Sequence, residues 1–135
     1  MGVGKSSVAR HLASMLKCDR IDLDAFIESS TGRSIADIIT NDGEPAYREI
    51  ETRNLVSVLN GTKARILSLG GGTWTMAGNR ELIGEHGVVT VWLESTFDHC
   101  WTNISKSRKE RPLAKNKEAA RQLFDERQSI YCLAD

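Results

Sequence analysis

The chain has 135 residues, 40% of them apolar and 27% charged, and its 18 basic and 18 acidic side chains cancel to a formal net charge of zero. One domain with a buried core fits that length, and the charge balance argues against a dedicated nucleic-acid binder or membrane-surface protein while leaving room for a local basic site. Cys18, Cys100 and Cys132 are dispersed and form no C-x-x-C pair; with no signal peptide and no run long enough to span a bilayer, free thiols in a reducing cytoplasm are expected.

Met1-Gly2-Val3-Gly4-Lys5-Ser6-Ser7 reads as the second half of a phosphate-binding loop, G-x-x-x-x-G-K-[ST]. The opening glycine would lie two positions before Met1, as would the strand that delivers such a loop. A helix is expected over residues 6–16, with Val8, Leu12, Met15 and Leu16 on one face. Its free N–H groups and its dipole would favour an anion at Gly4-Lys5-Ser6. Residues 20–24 alternate and read as a strand end; residues 25–30 begin a helix, and Thr31-Gly32-Arg33 turns the chain. Ser34 and Asp37 resemble a capping box before Ile38 and Ile39.

Pro45 suits the first turn of a helix reaching about residue 59, with Tyr47, Ile50, Leu55 and Val58 as core positions and Asn60-Gly61 as its stop. Residues 65–69 form a buried strand ended by Gly70-Gly71-Gly72. A short helix over 79–85 follows. The clearest strand pattern is 87–93, whose unbroken apolar character fits a parallel sheet covered on both faces. Helices are expected over 97–104 and from 117 to about 133, separated by a polar loop, 106–117, that carries six Lys or Arg residues. Alternation of strands and helices predicts an α/β fold with a parallel sheet.

Within that frame several residues carry chemistry. In a phosphate loop Lys5 reaches the β/γ oxygens and the Ser6 hydroxyl ligates Mg²⁺. Asp22 and Asp24, two apart at a strand end, would point the same way, one for a metal-bound water and one for a substrate hydroxyl; a solvated, capped turn is the plainer reading. Three glycines, Gly70, Gly71 and Gly72, cost backbone entropy unless something must approach closely; they either expose N–H groups to an anion or form a tight turn. Arg48 and Arg127 interrupt apolar helical stripes, which suits an arginine fork on a carboxylate or pairing with Glu44, Glu51 or Glu126. The basic run from Ser107 to Leu113 is either a solvated loop or a lid bringing an arginine to a transferring phosphoryl group. His11, His86 and His99 lack metal-ligand spacing.

Taken together, Gly2-Val3-Gly4-Lys5-Ser6, Asp22-Leu23-Asp24, Thr31-Gly32-Arg33-Ser34-Ile35, Gly43-Glu44, Tyr47-Arg48-Glu49-Ile50-Glu51, Gly70-Gly71-Gly72, Arg111-Pro112-Leu113 and Arg127 with Tyr131 resemble shikimate kinase over essentially the whole chain. The resemblance implies a three-layer α/β fold of the P-loop kinase type, here without the first (central) and last (edge) strands of a 2-3-1-4-5 sheet. It implies one incomplete domain over 1–135 with a lid at about 105–117, a cytoplasmic monomer, and ATP-dependent phosphorylation of the shikimate 3-hydroxyl with Mg²⁺. Gly2, Val3, Gly4, Lys5, Ser6, Ser7 and Arg111 would bind ATP phosphates. Ser6, and Asp22 through water, would hold the metal, and Lys5, Asp24 and Arg111 would be catalytic. Asp24, Arg48, Gly70, Gly71, Gly72, Pro112, Leu113 and Arg127 would bind substrate.

The chain departs from the family pattern in three places. Family members begin with a strand and a full loop, so Met1-Gly2 corresponds to an internal Met-Gly and a truncated chain or misplaced start is expected. They continue past Asp135 into another strand, an adenine-contacting loop and a helix. Asn103 stands where an adenine-stacking arginine is common, with Trp101 or Arg108 as substitutes. A related small-molecule kinase of the gluconate type, and a non-catalytic fragment that binds ligand or partner, stay open beside the leading reading.

Overall fold

A computed structural model describes residues 2–61, 63–107, 112–114 and 116–135. It divides into two compact units, Lys5–Val88 and Val89–Asp135 with Met1–Gly4. The predicted residues 108–111 and 115 of the lid lie outside the described residues.

The larger unit runs α1 (Lys5–Leu16), β1 (Arg20–Asp22), α2 (Leu23–Thr31), α3 (Ile35–Asp42), α4 (Glu44–Gly61), β2 (Ile66–Ser68), a 3₁₀ turn (Thr73–Thr75) and α5 (Ala77–Glu85). β1 and β2 pair in parallel, with Arg20 opposite Ile66, Ile21 opposite Leu67 and Asp22 opposite Ser68. Parallel neighbours need a long crossover, and α2, α3 and α4 supply it. The α/β character read from the sequence is therefore present.

Local chemistry sets the helix ends. Asp22 closes β1 and accepts the Ala25 N–H at 3.4 Å, which starts α2 at Leu23, before the expected residue 25. Asp24 consequently sits in the first turn of α2, and the expected two-residue strand alternation with Asp22 does not occur. Gly32 ends α2 at φ +66°, its N–H returning to the Glu28 carbonyl. Ser34 accepts the Asp37 N–H at 3.0 Å and donates its hydroxyl to the Asp37 carboxylate at 2.7 Å, so the predicted capping box forms. Leu23, Ile27, Ile38, Tyr47, Leu55, Val58 and Ile83 make the core, with Ile50 packed against it. Leu55 is fully buried, so Leu55→Ala costs about 2–5 kcal/mol.

Two further sequence expectations change. The apolar stripe of α1 faces out: Val8, Leu12, Met15 and Leu16 are exposed, Met15 by 75%, and Ala9 and Ala13 are the buried pair. Small side chains spaced at i and i+4 let α1 lie close against the two strands, which the apolar count alone would not select. The second change concerns 87–93. Among the described residues this segment is not a strand, and Val89 and Val91 are exposed by 78% and 74%. An apolar run becomes a strand only where its N–H and C=O groups find a ladder, and the described sheet holds β1 and β2 alone.

In the smaller unit, α6 (Phe97–Lys106), a 3₁₀ turn (Pro112–Ala114) and α7 (Lys117–Tyr131) enclose Phe97, Ala114 and Ala120, with Trp101, Leu123 and Phe124 packed around them. Phe97 meets Phe124 edge-on at 5.6 Å between centroids, a favoured aromatic geometry. Thr96 caps α6 by accepting the His99 N–H, and Asn116 caps α7 by accepting the Ala119 N–H. The Thr90 N–H and hydroxyl both donate to the Asp135 carboxylate, at 2.9 and 2.7 Å. Among the described residues no helix is long and apolar enough to cross a membrane.

Candidate functional site

In the larger unit, α1 opens at Lys5, and Ser6 follows it with its hydroxyl donating to Asp22 Oδ2 at 2.6 Å. Asp22 thus uses one oxygen to cap α2 and the other to hold Ser6. A hydroxyl and a carboxylate side by side are hard oxygen donors. Among the described residues no cluster of three or more His, Cys, Asp or Glu could hold a metal. The pair itself, two hard oxygens, fits an ion that keeps most of its waters and binds phosphate oxygens, the habit of Mg²⁺.

The glycine turn after β2 is where the acidic and basic residues meet. Gly70 and Gly72 are buried. A Cβ on Gly70 would lie 2.9 Å from each of Asp24 Oδ1, Glu51 Oε1 and Thr73 Oγ1, and a Cβ on Gly72 would fall on the Arg48 guanidinium. Neither glycine has positive φ, so both are required by space and not by backbone conformation. Asp24 and Arg48 therefore flank one turn.

Arg48 is held at three N–H groups. Its Nε and Nη2 donate to Glu44 Oε1 at 3.2 and 2.8 Å, and its Nη1 donates to Glu51 Oε2 at 2.7 Å. An arginine carries five N–H donors, which leaves two for a ligand. Burial works against the charge, but the Glu51 and Glu44 carboxylates beside it hold the guanidinium above its ordinary pKa. Both sequence readings of Arg48, a paired arginine and a ligand fork, are compatible with this arrangement.

Glu51 is the residue sequence reasoning undervalued. It is fully buried, and in the sequence it stands as one of several acids near Arg48 and as the last residue of the Tyr47-Arg48-Glu49-Ile50-Glu51 stretch, with no role of its own. Its Oε1 accepts the Thr73 hydroxyl at 2.6 Å and the Tyr47 hydroxyl at 3.1 Å. Burial, with the Glu51 carboxylate close by, pushes the Tyr47 phenol well above its ordinary pKa and keeps it a donor. The available signal is spacing: Glu51 lies four after Tyr47 and four before Leu55, on the buried stripe of α4.

In the smaller unit Arg127 is 8% exposed on the inner face of α7. It lines an apolar cleft with Val3, Leu93, Phe124 and Tyr131, and no carboxylate pairs with it among the described residues. A buried cation without an anion is costly, so this position suits an anionic ligand group. Gly2 and Gly4 take φ +74° and +95°. Asn103 Nδ2 donates to the Gly2 carbonyl at 2.7 Å and meets His99 Nε2 at 3.1 Å. In the structure Asn103 thus anchors the start of the loop. Pro112 and Leu113 sit half-buried in the 3₁₀ turn, Ser7 is exposed in α1, and Arg111 and Arg108 lie outside the described residues.

A Gly-Lys-Ser entry into a helix, with its serine on a strand-end aspartate of a parallel α/β sheet, defines a nucleotide-phosphate-binding domain. The family profile described as shikimate kinase matches residues 1–135. A shikimate kinase of Cereibacter sphaeroides is 38% identical over 138 residues, covering 100% of this chain and 68% of that protein. One of Streptococcus thermophilus is 38% identical over 134 residues, covering 97% and 80%. Among solved structures, shikimate kinase from Acinetobacter baumannii in complex with shikimate superposes with a TM-score of 0.89 at 33% identity, over 98% of this chain and 74% of that one. The Aquifex aeolicus enzyme gives 0.80 at 28% identity, over 100% and 79%. The chain belongs to the shikimate kinase family.

Proposed function

We propose that the chain transfers the γ-phosphoryl group of ATP to the 3-hydroxyl of shikimate. The observation that carries this reading is the shared glycine turn: Asp24 and Arg48 both press on residues 70–72, at Gly70 and Gly72. A carboxylate and a guanidinium spaced by one turn suit a substrate with a reacting hydroxyl and a carboxylate. The Acinetobacter baumannii relative was solved with such a molecule, shikimate.

In this reading Asp24 orients the 3-hydroxyl and accepts its proton, and Arg48 binds the shikimate carboxylate. Arg127, a buried cation of the same chain, is assigned to that carboxylate as well. Gly70, Gly71 and Gly72 line the substrate with backbone N–H groups, and Pro112 and Leu113 close over it. Lys5 neutralises charge on the β/γ phosphates, helped by Gly2, Val3, Gly4 and Ser7, and Arg111 stabilises charge on the transferring group. Ser6 and Asp22 are the residues that would hold Mg²⁺, whose role when bound is to neutralise phosphate charge. Location in the cytoplasm and action as a monomer complete the proposal.

A coupled assay of ADP release tests it. Release that depends on shikimate, requires Mg²⁺ and is absent with gluconate is expected. Release with gluconate in place of shikimate supports the related small-molecule kinase. Shikimate binding without any release supports the non-catalytic reading.

A further inference from the structure

We propose that Thr73 is a positioning residue. Its hydroxyl, by holding the buried Glu51 carboxylate, aims the Arg48 guanidinium at the carboxylate of the substrate. The inference rests on the reading of Arg48 as the substrate's carboxylate fork.

Arg48 is contested by two acids on its own helix. Glu44 lies at the exposed end, its side chain 44% accessible, whereas the Glu51 side chain is wholly inaccessible. Which acid governs the guanidinium depends on how firmly the Glu51 carboxylate is fixed. Its Oε2 serves Arg48, so its orientation is set at Oε1, where the Thr73 bond of 2.6 Å is shorter than the Tyr47 bond of 3.1 Å. Without the Thr73 hydroxyl, Oε1 keeps only its longer contact, and the carboxylate is held less firmly.

Thr73 is itself rigidly placed. It is fully buried, and its carbonyl accepts Asn79 Nδ2 at 3.1 Å. Asn79 Oδ1 in turn accepts the Thr52 hydroxyl from α4 at 2.9 Å. The next residues are locked as well, since the Thr75 N–H and hydroxyl both donate to the Gly72 carbonyl. Thr73 also follows Gly72 directly, the position on which the guanidinium rests. One side chain therefore ties the glycine turn to the arginine beside it. Substrate seated on that turn meets Arg48 in a fixed register, without an ordering cost at the moment of binding.

The test uses Thr73→Val, which keeps the volume and deletes the hydroxyl, with Thr73→Ser as rescue. Thr52→Val serves as a control that loosens the Asn79 suture without touching Glu51. Two quantities are measured: the Arg48 Nε–H resonance in the unliganded protein, and shikimate and ATP affinities by calorimetry. Thr73→Val is expected to shift and broaden the Arg48 resonance and to weaken shikimate binding about ten-fold. ATP affinity should stay within about two-fold, Thr73→Ser should return both signals, and Thr52→Val should lower only the melting temperature. An unmoved Arg48 resonance in Thr73→Val, a failure of serine to rescue, or an equal loss of shikimate affinity in Thr52→Val overturns the proposal. If Thr73→Val does not fold, Tyr47→Phe, which removes the other donor to Oε1, must move the resonance in the same direction by a smaller amount; no movement overturns the proposal. A parent chain that binds no shikimate defeats the substrate reading, while the Arg48 resonance still decides the positioning by itself.

Discussion

Arg48 and Glu51, three residues apart on α4, form a 2.7 Å ion pair whose acidic member is completely buried. The pair sits in the core-facing stripe of the helix, between Tyr47 and Leu55. Removing one partner of such a pair strands the other charge. Glu51→Gln keeps the shape but removes the charge and turns one of the two oxygens that Arg48, Tyr47 and Thr73 use into a donor NH2. We expect about 3 kcal/mol lower stability in urea unfolding, with weaker shikimate binding and unchanged ATP binding. A variant as stable as the parent would show that the pair does not hold α4 to the glycine turn.

Gly72→Ala tests the turn directly. The added methyl group occupies the place of the Arg48 guanidinium, so Arg48 must swing away. The expected result is a fall of about 100-fold in kcat/KM for shikimate, a loss of about 3 kcal/mol of transition-state binding. The KM for ATP should be unaffected. Normal shikimate kinetics would mean that Arg48 does not act from its present position.

Much of this organisation is legible in the sequence, and the gaps have physical causes. Ser34 and Asp37 announce the start of α3, Gly32 ends α2, and Gly70-Gly71-Gly72 announces a crowded turn. These are local devices, readable from neighbouring residues. Glu51 is not legible in the same way, because a buried acid is satisfied by Thr73, 22 residues away. The fate of 87–93 depends on a ladder partner, which no property of the segment supplies. Likewise α1 hides its alanines and exposes its larger apolar residues, since close approach to the strands outweighs side-chain hydrophobicity there.

Tyr47 gives the fold an alkaline sensitivity. Its phenol is raised above the ordinary value in the folded state, first by burial and then by the Glu51 carboxylate. Above pH of about 10 the unfolded chain releases this proton while the folded chain keeps it. The folded state then binds more protons, so stability falls as pH rises. The contribution is complete below that pH and is lost progressively above it. Tyr47→Phe should flatten the decline in melting temperature between about pH 9.5 and 11 relative to the parent. Parallel curves would mean that another group sets the alkaline limit.

Lys5 and Arg127 should separate kinetically. Lys5 begins α1 and is read as acting on phosphate charge that develops during transfer, so Lys5→Ala should mainly lower kcat. Arg127 is buried beside an apolar cleft and is read as binding the substrate carboxylate, so Arg127→Ala should mainly raise the KM for shikimate. Steady-state kinetics on both variants distinguishes these roles, and equal effects on both parameters from both changes would contradict them.

The central claim is the identity of the transferred group and its acceptor. The most direct measurement is ³¹P NMR of a mixture of the chain, ATP, Mg²⁺ and shikimate, with the product also weighed by mass spectrometry. We predict one new phosphomonoester resonance, split by the single proton at C3 of the product, growing in step with ADP. ADP formation without a phosphorylated shikimate, or no change in either signal, would contradict the account.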